Sequence, residues 1–392
     1  MRGHMKIIER YPARFRMLSG SGAWALLYPV KLALAGVYRI GLIAARRGST
    51  DRRRAAFHQH GADSSPRPVI VSIGNLEAGG VGKTPCALRI AGGIAERGGV
   101  PVIVSRGYGS LAQRRAPCVI PGGRVLPEDG GGAYLTDREL LASHQSGSEG
   151  PARAAETLGD ETLLYRARGI PVVIDPDRGR GADLARRLFS PSHILLDDAF
   201  QNTSIRKDVE ILLLDAERPF GNGHLLPLGT LREIPSAARR ADIIVFTRAA
   251  SGSVPPEARR YAAGKHVFFA RHEASDLMDR QRGPVPLSRL AERECVLFSG
   301  IARPESFERA ARCAGARPRA AFRFIDHHVY GGEDVRMMLA EGGGDAAFVT
   351  TEKDWAKAIG LFPVDAEILA LRIEMRIDGF DRLLDLVFSS SS

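Results

Sequence analysis

Cysteine is scarce and scattered in this chain: Cys86, Cys118, Cys295 and Cys313 are the only four among 392 residues. None pairs with another Cys or a His at metal-ligand spacing, so neither a thiolate metal site nor a disulfide framework is indicated. Reduced cytosolic thiols are the expectation. No internal repeat is present. A cleaved signal peptide is not expected. The basic leader is long, its apolar part carries charges, and Arg46-Arg47 with Arg52-Arg53-Arg54 favours retention on the cytoplasmic side. Excess charge is absent from most of the chain. The first 60 residues hold twelve Lys/Arg against two Asp/Glu, which accounts for the whole formal charge of +10. The balanced remainder excludes a uniformly basic nucleic-acid binder. The local excess points to an anchor facing anionic lipid.

An uninterrupted apolar span is lacking too. Ala23 to Ala45 is mostly apolar but contains Pro29, Lys31 and Arg39. At about 100° per residue, Lys31, Arg39 and Arg46 fall in one sector of a helix. That pattern suits a helix lying in a membrane interface. Its length permits a span, which the two cations disfavour. Packing against its own domain is the third reading. We expect residues 1–60 to form this basic membrane-associating segment, with a polar linker over His58 to Arg67.

What the chain does have is a glycine loop. Asn75-Leu-Glu-Ala-Gly-Gly-Val-Gly-Lys-Thr-Pro85 follows the apolar run 68–73 and precedes a helical pattern from Cys86. Strand, glycine loop, Gly-Lys-Thr and helix is the layout of a nucleotide phosphate cradle. Gly79, Gly80 and Gly82 let backbone N–H groups turn toward an anion. The helix N-terminus adds partial positive charge. Lys83 is placed to reach β/γ-phosphates of ATP, and the Thr84 hydroxyl to bind Mg²⁺. Glu77 stands where the usual pattern has its first Gly.

Further strands are expected at 100–105, 170–174, 193–198, 209–215 and 242–246, alternating with helices. This predicts an α/β fold with a P-loop NTPase-like, mostly parallel sheet over 61–246. A second, smaller α/β domain is expected over 247–392. Ligands bind such sheets beyond the carboxyl ends of strands. Asp197-Asp198 ends one strand and has the form of a Walker-B carboxylate pair for Mg²⁺, or of a simple cap. Asp160-Glu161 opens a helix, where capping and chemistry are both open readings. Asp326-His327-His328 is either an orienting carboxylate–imidazole pair or a solvated one. The charges of Thr350-Thr-Glu-Lys-Asp354 either face a cleft or pair on the surface.

In order, Ser72-Ile-Gly-Asn75, Gly79-Gly-Val-Gly-Lys-Thr-Pro85, Ser105-Arg-Gly-Tyr-Gly109, Gly159-Asp-Glu161, Asp197-Asp-Ala-Phe-Gln201, Phe220-Gly-Asn-Gly223, Pro227-Leu-Gly-Thr-Leu-Arg-Glu233, Asp326-His327 and Thr351-Glu-Lys-Asp354 resemble the tetraacyldisaccharide 4′-kinase family. The resemblance covers roughly 68–360. The basic N-terminal helix also looks like the family's membrane-associating segment. The resemblance implies transfer of the γ-phosphoryl group of ATP to tetraacyldisaccharide 1-phosphate, yielding lipid IVA. The reaction belongs to the cytoplasmic face of the bacterial inner membrane, with the enzyme peripheral or singly anchored. No nucleic acid and no obligate protein partner are implied. Lys83 and Thr84 match the family's phosphate and Mg²⁺ residues. Asp160 matches its catalytic base and His327 the histidine paired with that base. Asp197 and Asp198 match its metal acids, and Glu161, Arg232 and Glu233 further active-site positions. Ala199, Asn202 and Thr162 stand where the family usually has Gly, His and Pro. The competing reading is a membrane-associated P-loop ATPase switch of the partitioning type. Two others are a kinase for a small soluble sugar and a non-catalytic lipid-binding module.

Overall fold

The computed structural model describes residues 5–10, 32–41, 67–108, 110–114, 117–123, 135–136, 157–249, 252–291, 293–326, 328–343 and 346–390. His327 and most of the 1–60 segment lie outside them, as does Gly109. The strands used below are β1 (Lys6–Arg10), β2 (Val69–Asn75), β3 (Pro101–Ser105), β4 (Cys118–Ile120), β5 (Leu135–Thr136), β6 (Val172–Ile174), β7 (His193–Asp197), β8 (Val209–Asp215), β9 (Ile243–Thr247), β10 (His266–Met278), β11 (Pro284–Val285), β12 (Glu294–Ser299), β13 (Arg317–Phe324), β14 (Ala347–Thr351) and β15 (Ile368–Ile377). The helices used below are α1 (32–41), α2 (Lys83–Glu96), α3 (Asp160–Ala167), α4 (Arg178–Phe189), α5 (Pro304–Cys313), α6 (Gly332–Gly342), α7 (Glu352–Ala358) and α8 (Phe380–Ser389).

The chain divides into two units. The larger comprises Ala25–His144, Tyr165–Arg271 and Met375–Ser392. Its strands run in the order β10-β9-β8-β2-β7-β3-β6-β4-β5. Pairing is parallel throughout except between β4 and β6. β2, β3, β7 and β9 are buried along their whole length, which is why they read as continuous apolar runs rather than alternating ones. α4 is started by Asp177, whose carboxylate accepts hydrogen bonds from the Gly179 and Arg180 amides at 3.0 and 3.1 Å.

The smaller unit comprises Met1–Trp24, Gln145–Leu164 and His272–Glu374. Its strands β1-β13-β12-β14-β15 pair in parallel, and the end of β10 pairs antiparallel with β11. Aromatic side chains fill its core, among them Phe298, Phe322, Phe324, Tyr330, Phe348, Trp355 and Phe362.

These units differ from the expected 61–246 and 247–392. The start of β10 pairs with β9 through His266–Phe269, which keeps it in the larger unit. The C-terminal helix α8 joins that unit as well. A side chain at Gly93 of α2 would strike Phe380 and Leu384, and Arg97 holds Asp385 at 2.7 Å. The leader differs too. Residues 6–10, which lie in the expected basic leader ahead of its helix, form an edge strand on β13, with Ile8 packed on the aromatic core. α1 is the described part of the expected helix. Ala35 and Tyr38 are half-buried, while Leu34, Val37 and Ile40 are exposed. Among the described residues no helix is long and apolar enough to cross a membrane.

Candidate functional site

Parallel strands bring their carboxyl ends to one edge of the larger unit's sheet. Asn75, Asp197, Asp215 and Thr247 terminate β2, β7, β8 and β9 there, and all four are buried. The glycine loop leaves from Asn75. Gly82 adopts φ 91° and ψ 29°, a left-handed conformation that a side chain would strain, and then caps α2. Its carbonyl accepts the first helical hydrogen bond from Cys86 at 3.0 Å. Cβ atoms added at Gly79 or Gly80 would meet nothing within 4 Å, so the space over the loop is open.

Lys83 begins α2 and turns back toward the strand ends. Its ammonium donates to Asn75 Oδ1 at 3.3 Å and lies 3.6 Å from Asp198. Arg232 donates through one nitrogen to both Asp198 oxygens, at 2.9 and 2.8 Å. Burial raises the Asp198 carboxyl, but Lys83 and Arg232 outweigh it and hold the group below the ordinary carboxylate range. Two cations and one acid therefore converge beside the loop. Thr84, the next residue of α2, is buried, and Asp197 is buried at the end of β7. These are hydroxyl and carboxylate donors, the hard oxygen set that Mg²⁺ prefers.

Asp198 owes its position to a chain crossing. It has φ 49°, and the following Phe200 packs directly over Gly74. The Ala199 backbone amide donates to Ile73 O at 3.2 Å, and the Gln201 side-chain Nε2 to Asn75 O at 2.8 Å. Ala199 is fully buried. Asn202 accepts from the Ser204 amide and hydroxyl at 3.0 and 2.9 Å, so its side chain shapes a local turn. Glu233, expected as an active-site position, is buried and held by both terminal nitrogens of Arg240 at 2.9 and 3.1 Å. Glu77 has a structural task. Its carboxylate accepts from the Thr230 hydroxyl at 2.7 Å, fastening the loop to the segment that carries Arg232.

Sequence reasoning passed over three residues here. Arg178, fully buried, donates to the strand-end carbonyls of Asp175 and Asp197 at 2.9 and 2.8 Å. Burial lowers its pKa to about 10. Arg248 donates to Gly80 O and pairs with Asp215. Tyr38 of α1 donates to Arg232 O at 3.2 Å. Arg178 and Arg248 follow predicted strands within a few residues, which is the signal that marks them.

In the smaller unit, Asp160 and Glu161 open α3. Asp160 Oδ2 lies 2.6 Å from Lys357, and Glu161 3.7 Å from Lys353. His328 Nε2 lies 3.0 Å from Asp334 Oδ2, whose carboxylate accepts, and the ring stacks on Phe324, so it packs against the aromatic core. Asp354 is buried and accepts from the Gly300 amide at 3.0 Å and the Thr351 hydroxyl at 2.7 Å. Burial raises its carboxyl above the ordinary value.

A family model described as tetraacyldisaccharide-1-P 4′-kinase matches residues 26–140 and 141–389. The chain belongs to this family. A tetraacyldisaccharide 4′-kinase of Anaeromyxobacter dehalogenans (strain 2CP-C) is 36% identical over 343 residues, 83% of this chain and 82% of the relative. Another from Anaeromyxobacter sp. (strain Fw109-5) is 32% identical over 97% of this chain and 95% of its own. The fold is similar to a crystal structure of the "apo" form of LpxK from Aquifex aeolicus in complex with ATP. That likeness has TM-score 0.64 and 24% identity, and covers 92% of this chain and 98% of that one. Family membership selects a lipid A biosynthesis kinase over the partitioning-type switch, the soluble-sugar kinase and the lipid-binding module. The matched span includes every candidate site residue from Gly79 to His327.

Proposed function

We propose that this protein transfers the γ-phosphoryl group of ATP to the 4′-hydroxyl of tetraacyldisaccharide 1-phosphate, forming lipid IVA. The observation that carries the reading is the meeting of Lys83, Asp198 and Arg232 beside an open glycine loop, in a chain of this family. The loop amides and Lys83 would hold the β/γ-phosphates, with Lys83 exchanging its carboxylate partner for phosphate oxygens. Thr84, Asp197 and Asp198 would hold Mg²⁺, which supplies neutralising charge on the phosphates. Arg232 and Glu161 would complete the ATP contacts, with Glu233 fixing Arg240 behind them.

Asp160 acts as the base, assisted by His327. It takes the proton of the 4′-hydroxyl as that oxygen bonds to the γ-phosphorus. The bond from the γ-phosphorus to the β–γ bridging oxygen breaks, and ADP leaves. Binding at the cytoplasmic face of the inner membrane would use α1. Leu34, Val37 and Ile40 form an exposed apolar face at i, i+3 and i+6, suited to anionic lipid when joined to the basic leader.

Proton-detected phosphorus NMR of the product tests the reading. A new phosphomonoester on the 4′ carbon, absent with Asp160→Ala, is expected. A product phosphorylated elsewhere, or full turnover by Asp160→Ala, contradicts it.

A further inference from the structure

We propose that Lys357 is a positioning residue that keeps Asp160 ionised and oriented for proton abstraction. The proposal rests on the assignment of Asp160 as the base. Lys357 lies in α7, three residues beyond the Thr351-Glu-Lys-Asp354 motif. Its ammonium is 2.6 Å from Asp160 Oδ2, and the two side chains are only 7% and 9% exposed. One turn earlier on the same helix face, Lys353 lies 3.7 Å from Glu161. Two lysines spaced i, i+4 thus meet two consecutive acids at the start of α3. This double grip fixes the rotation of that first turn.

Burial gives the inner pair its force. A buried ammonium or carboxylate is tolerated only when partnered, so each side chain holds the other in place. α7 is itself firmly seated. Thr351 accepts from the Asp354 amide at 3.1 Å to cap it, Asp354 is tied to Gly300, and Trp355 is buried. The charged and titratable groups around Asp160 include Glu161 beside it, Lys357 and Lys353 of α7, Tyr330 ahead of α6, and Asp354 behind Lys357. Of these, Lys357 makes the close ion pair. It does not touch the acceptor. Its effect passes through Asp160.

The test is steady-state phosphoryl transfer by the full chain in detergent micelles, with ATP, Mg²⁺ and tetraacyldisaccharide 1-phosphate, across pH. Lys357→Met is expected to lower kcat about 10- to 100-fold with ATP KM unchanged. The acidic limb of the pH profile should move up, because the cation beside the carboxylate is gone. Lys357→Arg should restore the limb, and Lys357→Met added to Asp160→Asn should cost nothing further. Where Lys357→Met does not fold, Lys357→Gln is judged by the same limb. An unmoved limb, or an equal loss at every pH, overturns the proposal while Asp160→Asn remains inactive. Full turnover by Asp160→Asn overturns the assignment of the base, and this proposal with it.

Discussion

Gly74→Ala tests how the fold builds the site. Gly74 is the second-last residue of β2, and the chain carrying Asp198 crosses over it. An added methyl would lie 2.7 Å from both the Cβ and the backbone nitrogen of Phe200, and 3.2 Å from its Cα. Carbon atoms sit comfortably at about 3.5–4.0 Å, so roughly 1 Å of movement is required. No rotamer change supplies it, because the obstructing atoms are backbone and Cβ. Phe200 is fully buried, and its neighbours are tied to Ile73 and Asn75. The Asp198–Phe200 segment must therefore shift away from Gly74. Overpacking of this kind costs about 1–3 kcal/mol. In a unit of this size that lowers the melting temperature by roughly 2–4 °C per kcal/mol. A displacement near 1 Å in a positioned group lowers turnover by about 100-fold. Thermal melting and phosphoryl-transfer turnover on the same preparation measure both effects. Wild-type turnover in a folded Gly74→Ala protein would refute the reasoning.

Gly80→Ala is the matched control: its methyl meets no protein atom within 4 Å, so melting should be unchanged while ATP KM rises several-fold. An unchanged KM would remove phosphate from the space over the loop. Tyr38→Phe deletes the bond to Arg232 O but leaves the apolar face of α1 intact. Binding to anionic vesicles should persist, with stability lower by about 0.5–1.5 kcal/mol. Loss of vesicle binding would contradict that division of labour. Asp354 has a native pKa raised by burial, so the folded state holds its proton more tightly than the unfolded state. Wild-type stability relative to Asp354→Asn should therefore fall as pH rises above the ordinary carboxylate value, and level off above the native pKa. A pH-independent difference would contradict the assignment.

The parallel core was legible in the sequence because fully buried strands leave uninterrupted apolar runs, as 69–75 and 243–247 do. The glycine loop was legible because Gly82 must adopt a left-handed turn before α2. Residues 6–10 were not recognised as a strand. An edge strand of five residues with three charges carries little apolar signal, and its partner β13 is some 300 residues away. The unit boundaries were hidden for a related reason, since α8 returns to α2 through contacts of long sequence separation. At the site, acids were found by their places at strand and helix ends. Lys83 and Arg232 were named with them, but Arg178, Arg248 and Lys357 are defined by what they reach in space. Glu77 looked like a defect in the loop, and its bond to Thr230 explains why a carboxylate stands there.

The central claim is phosphoryl transfer from ATP to a lipid acceptor through the Lys83 loop. Purified protein in detergent micelles with [γ-³²P]ATP, Mg²⁺ and tetraacyldisaccharide 1-phosphate, run beside Lys83→Ala, tests it most directly. Label is expected in the lipid fraction with wild type and not with Lys83→Ala. Label appearing as inorganic phosphate at the same rate with or without the lipid would contradict it and identify an ATPase.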